Sequence, residues 1–420
     1  MSIRSKDPAF VYLVFRGGAS LFFNVMATTN LVYQVEVALL DPLRLVLVGT
    51  VLEATCLVFQ VPTGLLADAF SRRWAVAIGF ALVGIGFMLE GLVPQFTAIA
   101  IAQVIWGIGA VLSDGADDAW ITDEVGQARA GPLFLRGSQF SQAAGLGGIV
   151  VGVALASIQL NLPIVIGGAL HLLLAVYLFF AMTEAGYKAL PRQSLGNLAR
   201  MGAGARSSLA SIRRRPLILT ILAITVVGGL SGEGVDRLYQ VHFLKDVRLP
   251  SFGGLSPVLW FGLISGGAAV LGIATTQVVR RRLDLEDHST VSRSLLAFTA
   301  ARALMLVGFA LATNLAVAIG FLWVASVMRQ AYGPVQRAWL NQSLDPDNRA
   351  TLFSVDGQAD ALGQIVGGPI LGVVASGVSI RAALVGSAAL LGLALPLFAR
   401  AFGQSSGRLS SLLGAVNELD

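Results

Sequence analysis

The ionisable residues of this chain are few, and several stand where water should be scarce. In Gly232-Glu233-Gly234-Val235-Asp236-Arg237, Glu233 and Arg237 are four apart on one helical face and can pair, and Asp236 shares a face with Glu233 at a spacing of three. An acid beside a fixed cation, with a second acid nearby, suits proton coupling. The alternative is a permanent ion pair stapling two helices. Glu53 stands between Val51-Leu52 and Ala54-Thr55-Cys56. A lone carboxyl there could take up or release a proton as water gains access, or simply bond to a neighbouring helix. Asp114, Asp117, Asp118, Asp123 and Glu124 recur at spacings near three and four, which places Asp114, Asp117 and Asp118 on or near one helical face. Asp114 is the deepest of the five and the best cavity candidate; the alternative is that all five merely solvate and brace the inner mouth.

Other chemistries find little support. Three scattered histidines and one cysteine, Cys56, offer no metal-ligand spacing and no disulfide. Gly17-Gly18 and Gly145-x-Gly147-Gly148 lie inside apolar stretches, so no phosphate-binding loop is expected. No metal, no cofactor, no nucleic-acid partner and no enzymatic activity are anticipated.

The elements that must hold these residues are membrane helices. Of 420 residues, 55% are hydrophobic and 13% charged, against about a quarter charged in soluble proteins, and the mean hydropathy is +0.76. Residues 92–113, 137–183 and 249–279 carry no Asp, Glu, Lys or Arg. Crossing a hydrocarbon core takes about 20 apolar helical residues. Spans are expected at 9–37, 43–66, 74–92, 96–121, 138–158, 162–182, 215–242, 256–279, 294–312, 314–338, 350–376 and 380–400. With the N-terminus inside, the outer loops hold only Arg44, Lys245, Arg248 and Arg381. Positive residues stay on the cytoplasmic side, so both termini are expected there, in a multi-pass protein of a bacterial-type inner (plasma) membrane. The start, Met1 to Pro8, has no cleavage site after a short apolar core and reads as no signal peptide.

The two halves repeat each other. Leu31-Val-Tyr-Gln-Val35 answers Arg237-Leu-Tyr-Gln-Val241, Gly64–Arg73 answers Gly272–Arg281, and Ala119-Trp120 answers Ala338-Trp339. Gln142-Ala-x-x-Leu-Gly-x-Ile-Val150 answers Gln358-Ala-x-x-Leu-Gly-x-Ile-Val366. Parallel six-helix repeats are a known transporter plan. The stretch Gly64-x-Leu66-x-Asp68-x-x-x-Arg72-Arg73 resembles the loop between the second and third helices of the major facilitator superfamily, although Ala69 and Ser71 replace its usual basic residue and glycine.

That resemblance covers nearly the whole chain. It implies an all-α membrane protein of twelve transmembrane helices in two parallel pseudo-symmetric six-helix halves, the major facilitator fold. The N-terminal bundle is expected at 1–182, a cytoplasmic linker at 183–214 with a short surface helix near Leu195–Ala210, the C-terminal bundle at 215–400 and a cytoplasmic tail at 401–420. It further implies a cavity lined by spans one, four, seven and ten, with Glu53, Asp114, Glu233, Asp236 and Arg237 as proton and substrate sites. The cytoplasmic gate would comprise Gly64, Asp68, Arg72, Arg73, Asp123, Glu124, Arg16 and Asp360, with Arg16 meeting an acid of span four or eleven. Asp68 would bond helix-terminal amides, and Asp123 and Glu124 would engage Arg72 or Arg73. Arg302, on an outer helix by the same analogy, is expected in a structural pair or snorkelling. The function expected is alternating-access secondary transport by a monomer, similar to bacterial drug/proton antiporter-type exporters: proton-coupled export of a small amphipathic or hydrophobic compound. Span five lacks the antiporters' proline, and Gly367-Gly368-Pro369 stands in span eleven instead. The alternative is a proton-coupled importer or facilitator of a nutrient or organic anion.

Overall fold

The computed structural model describes residues 7–186, 215–247, 249–250, 257–342 and 349–402, without the side chains of 65, 68–70 and 349–351. The expected surface helix at Leu195–Ala210 and the tail beyond residue 402 lie outside these. Among the described residues every regular element is helical, and twelve helical segments are long and apolar enough to cross a membrane.

The chain divides into two compact units. The first comprises Met1–Gly196 with Phe243–Ala269, the second Asn197–His242 with Val270–Asp420. The first contains α1 (Pro8–Glu36), α2 (Pro42–Phe70), α3 (Arg72–Leu92), α4 (Phe96–Ser113), α5 (Ala116–Val125), α6 (Gln127–Ala156) and α7 (Leu162–Ala181). The second is built on α8 (Pro216–His242), the second half of α9 (Pro257–Arg282), α10 (His288–Leu311), α11 (Leu315–Gln342), α12 (Arg349–Gly377) and α13 (Ile380–Gly392). A single π turn, Phe243–Val247, extends α8.

Caps explain several boundaries. Asp7 accepts from the Ala9 amide ahead of Pro8, and Asp41 accepts from the Arg44 amide ahead of Pro42, so each helix opens with a carboxylate cap and a proline whose missing N–H is not needed there. The Gly64–Arg73 stretch is less of a loop than its polarity suggests. Helix α2 runs to Phe70, and Ser71 alone, in extended conformation, separates it from α3, whose Trp74 amide it caps.

The fourth span departs from expectation. Asp114 ends α4 in extended conformation, and Gly115 takes φ +75°, a left-handed geometry that glycine adopts without steric cost. The helix restarts at Ala116, so Asp114 does not share a continuous helical face with Asp117 and Asp118. The fifth span begins eleven residues before its expected start, because the polar run from Gln127 stays helical.

Each unit has its own apolar core, and a tryptophan of the repeated Ala-Trp pair sits in each. Trp120 is buried with Val11, Phe15, Val76 and Leu178, and Trp339 with Ile221, Val335, Leu352 and Phe398. Glycines set the tightest helix approaches. A Cβ on Gly148 or Gly152 of α6 would strike the Leu21 or Val25 carbonyl of α1, and one on Gly363 or Gly367 of α12 would strike the Val226 or Leu230 carbonyl of α8. Small residues at such crossings let backbones touch.

Candidate functional site

In the second unit, close packing of α8 on α12 brings Thr225, Asp236, Asp356 and Asp360 around one cavity of about 610 Å³. Helix α10 contributes Arg302 and Phe298, and α11 contributes Arg329, Tyr332, Gln336 and Arg337. Pro334 lies inside the continuous helix α11, next to Gly333 of this wall; a proline there withholds a backbone donor and favours a kink.

The charged residues of the cavity are unequally committed. Arg329 Nη1 donates to Asp236 Oδ1 at 2.5 Å. Asp356 accepts from Thr225 Oγ1 at 2.6 Å and from Gln336 Nε2 at 3.3 Å, and Gln336 also donates to Thr225 at 3.1 Å. Asp360 accepts from Gln364 Nε2 at 2.8 Å.

The expected trio of span seven therefore splits. Arg237 Nε turns back one helical turn to Glu233 Oε1 at 2.9 Å, in a pair whose glutamate side chain is only 4% exposed. Asp236 lines the cavity instead, and so does Asp360.

The first unit holds a separate set of contacts. Arg16 on α1 lies 3.3 Å from Asp117 on α5, and the Tyr12 hydroxyl donates to Asp118 at 3.1 Å. Asp114 is exposed at the helix break. Glu53 is half-buried on α2, and the Cys56 thiol lies 4.0 Å from the Gly107 carbonyl where α2 meets α4.

At the α2–α3 junction, Arg72 pairs with Asp123. Glu184 was not foreseen: one of its oxygens accepts from the Ser71 hydroxyl at 2.7 Å and the Arg73 amide at 3.1 Å, and the other lies 3.9 Å from Arg73 Nε. A carboxylate is favoured at a helix N-terminus. Glu124 does not reach Arg73; it accepts from Thr183 Oγ1 at 2.5 Å and the Gly186 amide at 2.9 Å. Gly64 is part of α2, and the side chain of Asp68 lies outside the described set.

Glu90 is a further carboxyl that sequence reasoning passed over. It is fully buried on α3, accepting from Gln34 Nε2 at 2.6 Å and Gln103 Nε2 at 3.0 Å. Its signal was a single acid inside an apolar helix, and Gln34 belongs to one of the repeated segments. Among the aromatic residues of the first unit, Phe23 and Trp106 pack on each other at 6.2 Å and Phe22 packs on His171 at 6.0 Å. The Trp260 indole donates to the Pro250 carbonyl at 3.0 Å. Among the described residues no group of three or more His, Cys, Asp or Glu is placed to hold a metal ion.

Comparison with known proteins agrees with this architecture. The chain is 22% identical over 349 residues to an uncharacterized MFS-type transporter, YxaM, of Bacillus subtilis (strain 168), covering 82% of this chain and 84% of that protein. Among solved structures it resembles the nucleoside transporter NupG with a TM-score of 0.76 at 14% identity, over 94% of this chain and 99% of that one. It also resembles a bacterial homolog of the human lysosomal transporter Spinster, in an inward-facing and unoccupied conformation, with a TM-score of 0.73 at 17% identity, over 96% and 98% of the two chains. Identities this low carry the fold alone. Residues 9–286 match the Major Facilitator Superfamily, and with twelve membrane-length helices and these relatives the chain belongs to that superfamily of membrane transporters.

Proposed function

We propose that this transporter moves a small hydrophilic solute by alternating access, coupled to protons, across a bacterial plasma membrane with both termini in the cytoplasm. The observation that supports the cargo class is the cavity of the second unit, where Asp236, Asp356 and Asp360 face Arg302, Arg329 and Arg337. Charged side chains within membrane spans are costly and are retained at pathways and ligand sites. A purely apolar cargo would leave these groups dehydrated without replacing their water contacts. Proton coupling is supported by the carboxyls on and beside this cavity. Protonating Asp236 would weaken its hold on Arg329, and protonating Glu233 its hold on Arg237, so either proton could shift the balance between two arrangements of the unit. In the first unit, the Arg72–Asp123 and Glu184 contacts would serve as the gate latch.

A second reading, proton-driven export of an amphipathic compound, draws on Phe298, Met328, Tyr332 and Phe353 of the same walls. Proteoliposomes holding the purified protein and a pH-sensitive dye separate the two. The first reading expects hydrophilic solutes to dissipate an imposed pH gradient, with at least tenfold less flux in Asp236→Asn; flux with lipophilic amines alone would favour the second. Flux with neither class would reject both.

A further inference from the structure

We infer that the cavity of the second unit is a zwitterion site, in which Arg302 takes the ligand's carboxylate and the Asp356–Asp360 wall takes its ammonium group. This rests on the hydrophilic-cargo reading above and narrows it to one chemical class.

The argument starts from what each charged group already holds. Arg329 is committed to Asp236 at 2.5 Å. Arg302, half-buried on α10 and on the cavity wall, makes no hydrogen bond or ion pair among the described residues. A guanidinium carries five donors in a planar fork that matches a carboxylate. Placed at a cavity with none of those donors used, it is prepared for an oxyanion.

The acids show the complementary pattern. Asp356 is held by Thr225 and Gln336, and Asp360 by Gln364. All these donors are neutral, so among the described residues neither carboxylate is in an ion pair. Each carboxylate can accept about four hydrogen bonds, and here each receives one or two. Negative charge and lone pairs are left over for a cationic donor.

Charge balance then selects the ligand. The three aspartates and three arginines of the wall already sum to zero, so a neutral ligand with separated charges leaves the site balanced. A simple anion would leave the wall with one excess negative charge, and a simple cation with one excess positive charge. An α-amino acid or a short dipeptide has the required groups, and a cavity of about 610 Å³ is within the usual 300–1,000 Å³ of small-molecule sites. Arg302 is therefore assigned to cargo recognition rather than to the structural pairing expected for an outer helix.

The test is binding to the purified full-length protein, followed by thermal shift and equilibrium dialysis. The probes are the twenty L-amino acids and dialanine, each amino acid also as its N-acetyl derivative and its methyl ester, with adenosine as an uncharged hydrophilic probe and tetraphenylphosphonium as a lipophilic cation. The expected result is that one or more zwitterions bind and that either blocked form of the same compound binds at least about tenfold more weakly, since each loses a charge-assisted contact. Arg302→Gln should weaken the zwitterion by a similar factor, with Arg302→Lys retaining part of the affinity. The blocked compounds test the idea on the unaltered protein, so a misfolded variant does not shield it. Binding of adenosine without any zwitterion would overturn the inference and leave the hydrophilic reading standing. Binding of tetraphenylphosphonium alone would overturn both. Equal affinity for free and blocked forms, or no binding by any probe, would overturn the zwitterion assignment.

Discussion

The Asp236 carboxylate meets Arg329 at 2.5 Å from α8 to α11, while Arg237, the next residue, points back to Glu233 at 2.9 Å. Two adjacent residues thus serve one open pair and one closed pair. The side chains of Asp236 and Arg329 are 40% and 52% exposed, so water screens their attraction. Asp236→Asn should cost no more than about 1 kcal/mol of stability yet reduce transport at least tenfold. Thermal melting and proteoliposome flux on the same preparation check this; a large stability loss with normal flux would make the pair a structural one.

The Glu233–Arg237 pair should behave in the opposite sense. Its side chains are 4% and 16% exposed, and removing one partner of a buried pair strands the other, at about 3–5 kcal/mol. Glu233→Gln alone should lower the melting temperature far more than Asp236→Asn does. The double replacement Glu233→Gln with Arg237→Met should recover much of the loss, which a double-mutant cycle will show.

Glycine contacts give a prediction independent of transport. A Cβ on Gly363 would meet the Leu230 amide nitrogen at 2.8 Å and the Val226 carbonyl closer still, whereas a Cβ on Gly357 of the same helix meets nothing within 4 Å. Gly363→Ala should destabilise by about 1–3 kcal/mol through overpacking. Gly357→Ala should be neutral or stabilising by up to about 1 kcal/mol, since alanine favours a helix interior. Melting of the two variants side by side decides it.

The latch contacts can be tested by charge exchange. Arg72→Asp places a carboxylate beside Asp123 and should slow transport at least tenfold. Adding Asp123→Arg should restore part of the rate if the contact itself matters. Glu184→Ala, which removes the acceptor shared by the Ser71 hydroxyl and the Arg73 amide, should cost about 1 kcal/mol, as the loss of a helix N-cap does.

Outside the membrane, Asp287 caps α10 and offers a pH readout. Its carboxylate accepts from the Thr290 hydroxyl at 2.5 Å and also from the Ser289 hydroxyl and both amides. The Thr290 hydroxyl first, then that of Ser289 and the Thr290 amide, hold the acid down at about 2. Because the folded value lies below the unfolded one, this stabilisation is full above about pH 4 and is lost as pH falls toward 2. Asp287→Asn should flatten that part of the acid-melting curve; an unchanged curve would dissociate the cap from acid sensitivity.

How much of this was readable in advance follows from the range of each interaction. Twelve spans were legible because the apolar length needed to cross a bilayer is a local property, and the Glu233–Arg237 contact because four residues on a helix return to one face. The break at Asp114-Gly115 carried a signal, an Asp-Gly pair, but the apolar run before it argued for a continuous helix. Arg302, Glu184 and Glu90 were not legible as site residues. Their neighbours come from other helices, and the rotation of one helix against another is set by glycine contacts such as Gly363 on Val226, which span far more sequence than any periodicity reports.

Ser71 carries a mechanical consequence. With one extended residue joining α2 to α3, and Glu184 gripping that residue's hydroxyl and the Arg73 amide, the joint has almost no slack. Force on either rod is handed to the other as torque rather than absorbed. Lengthening the joint by two or three glycines would turn a stiff elbow into a loose hinge, uncoupling the rods while leaving each one folded.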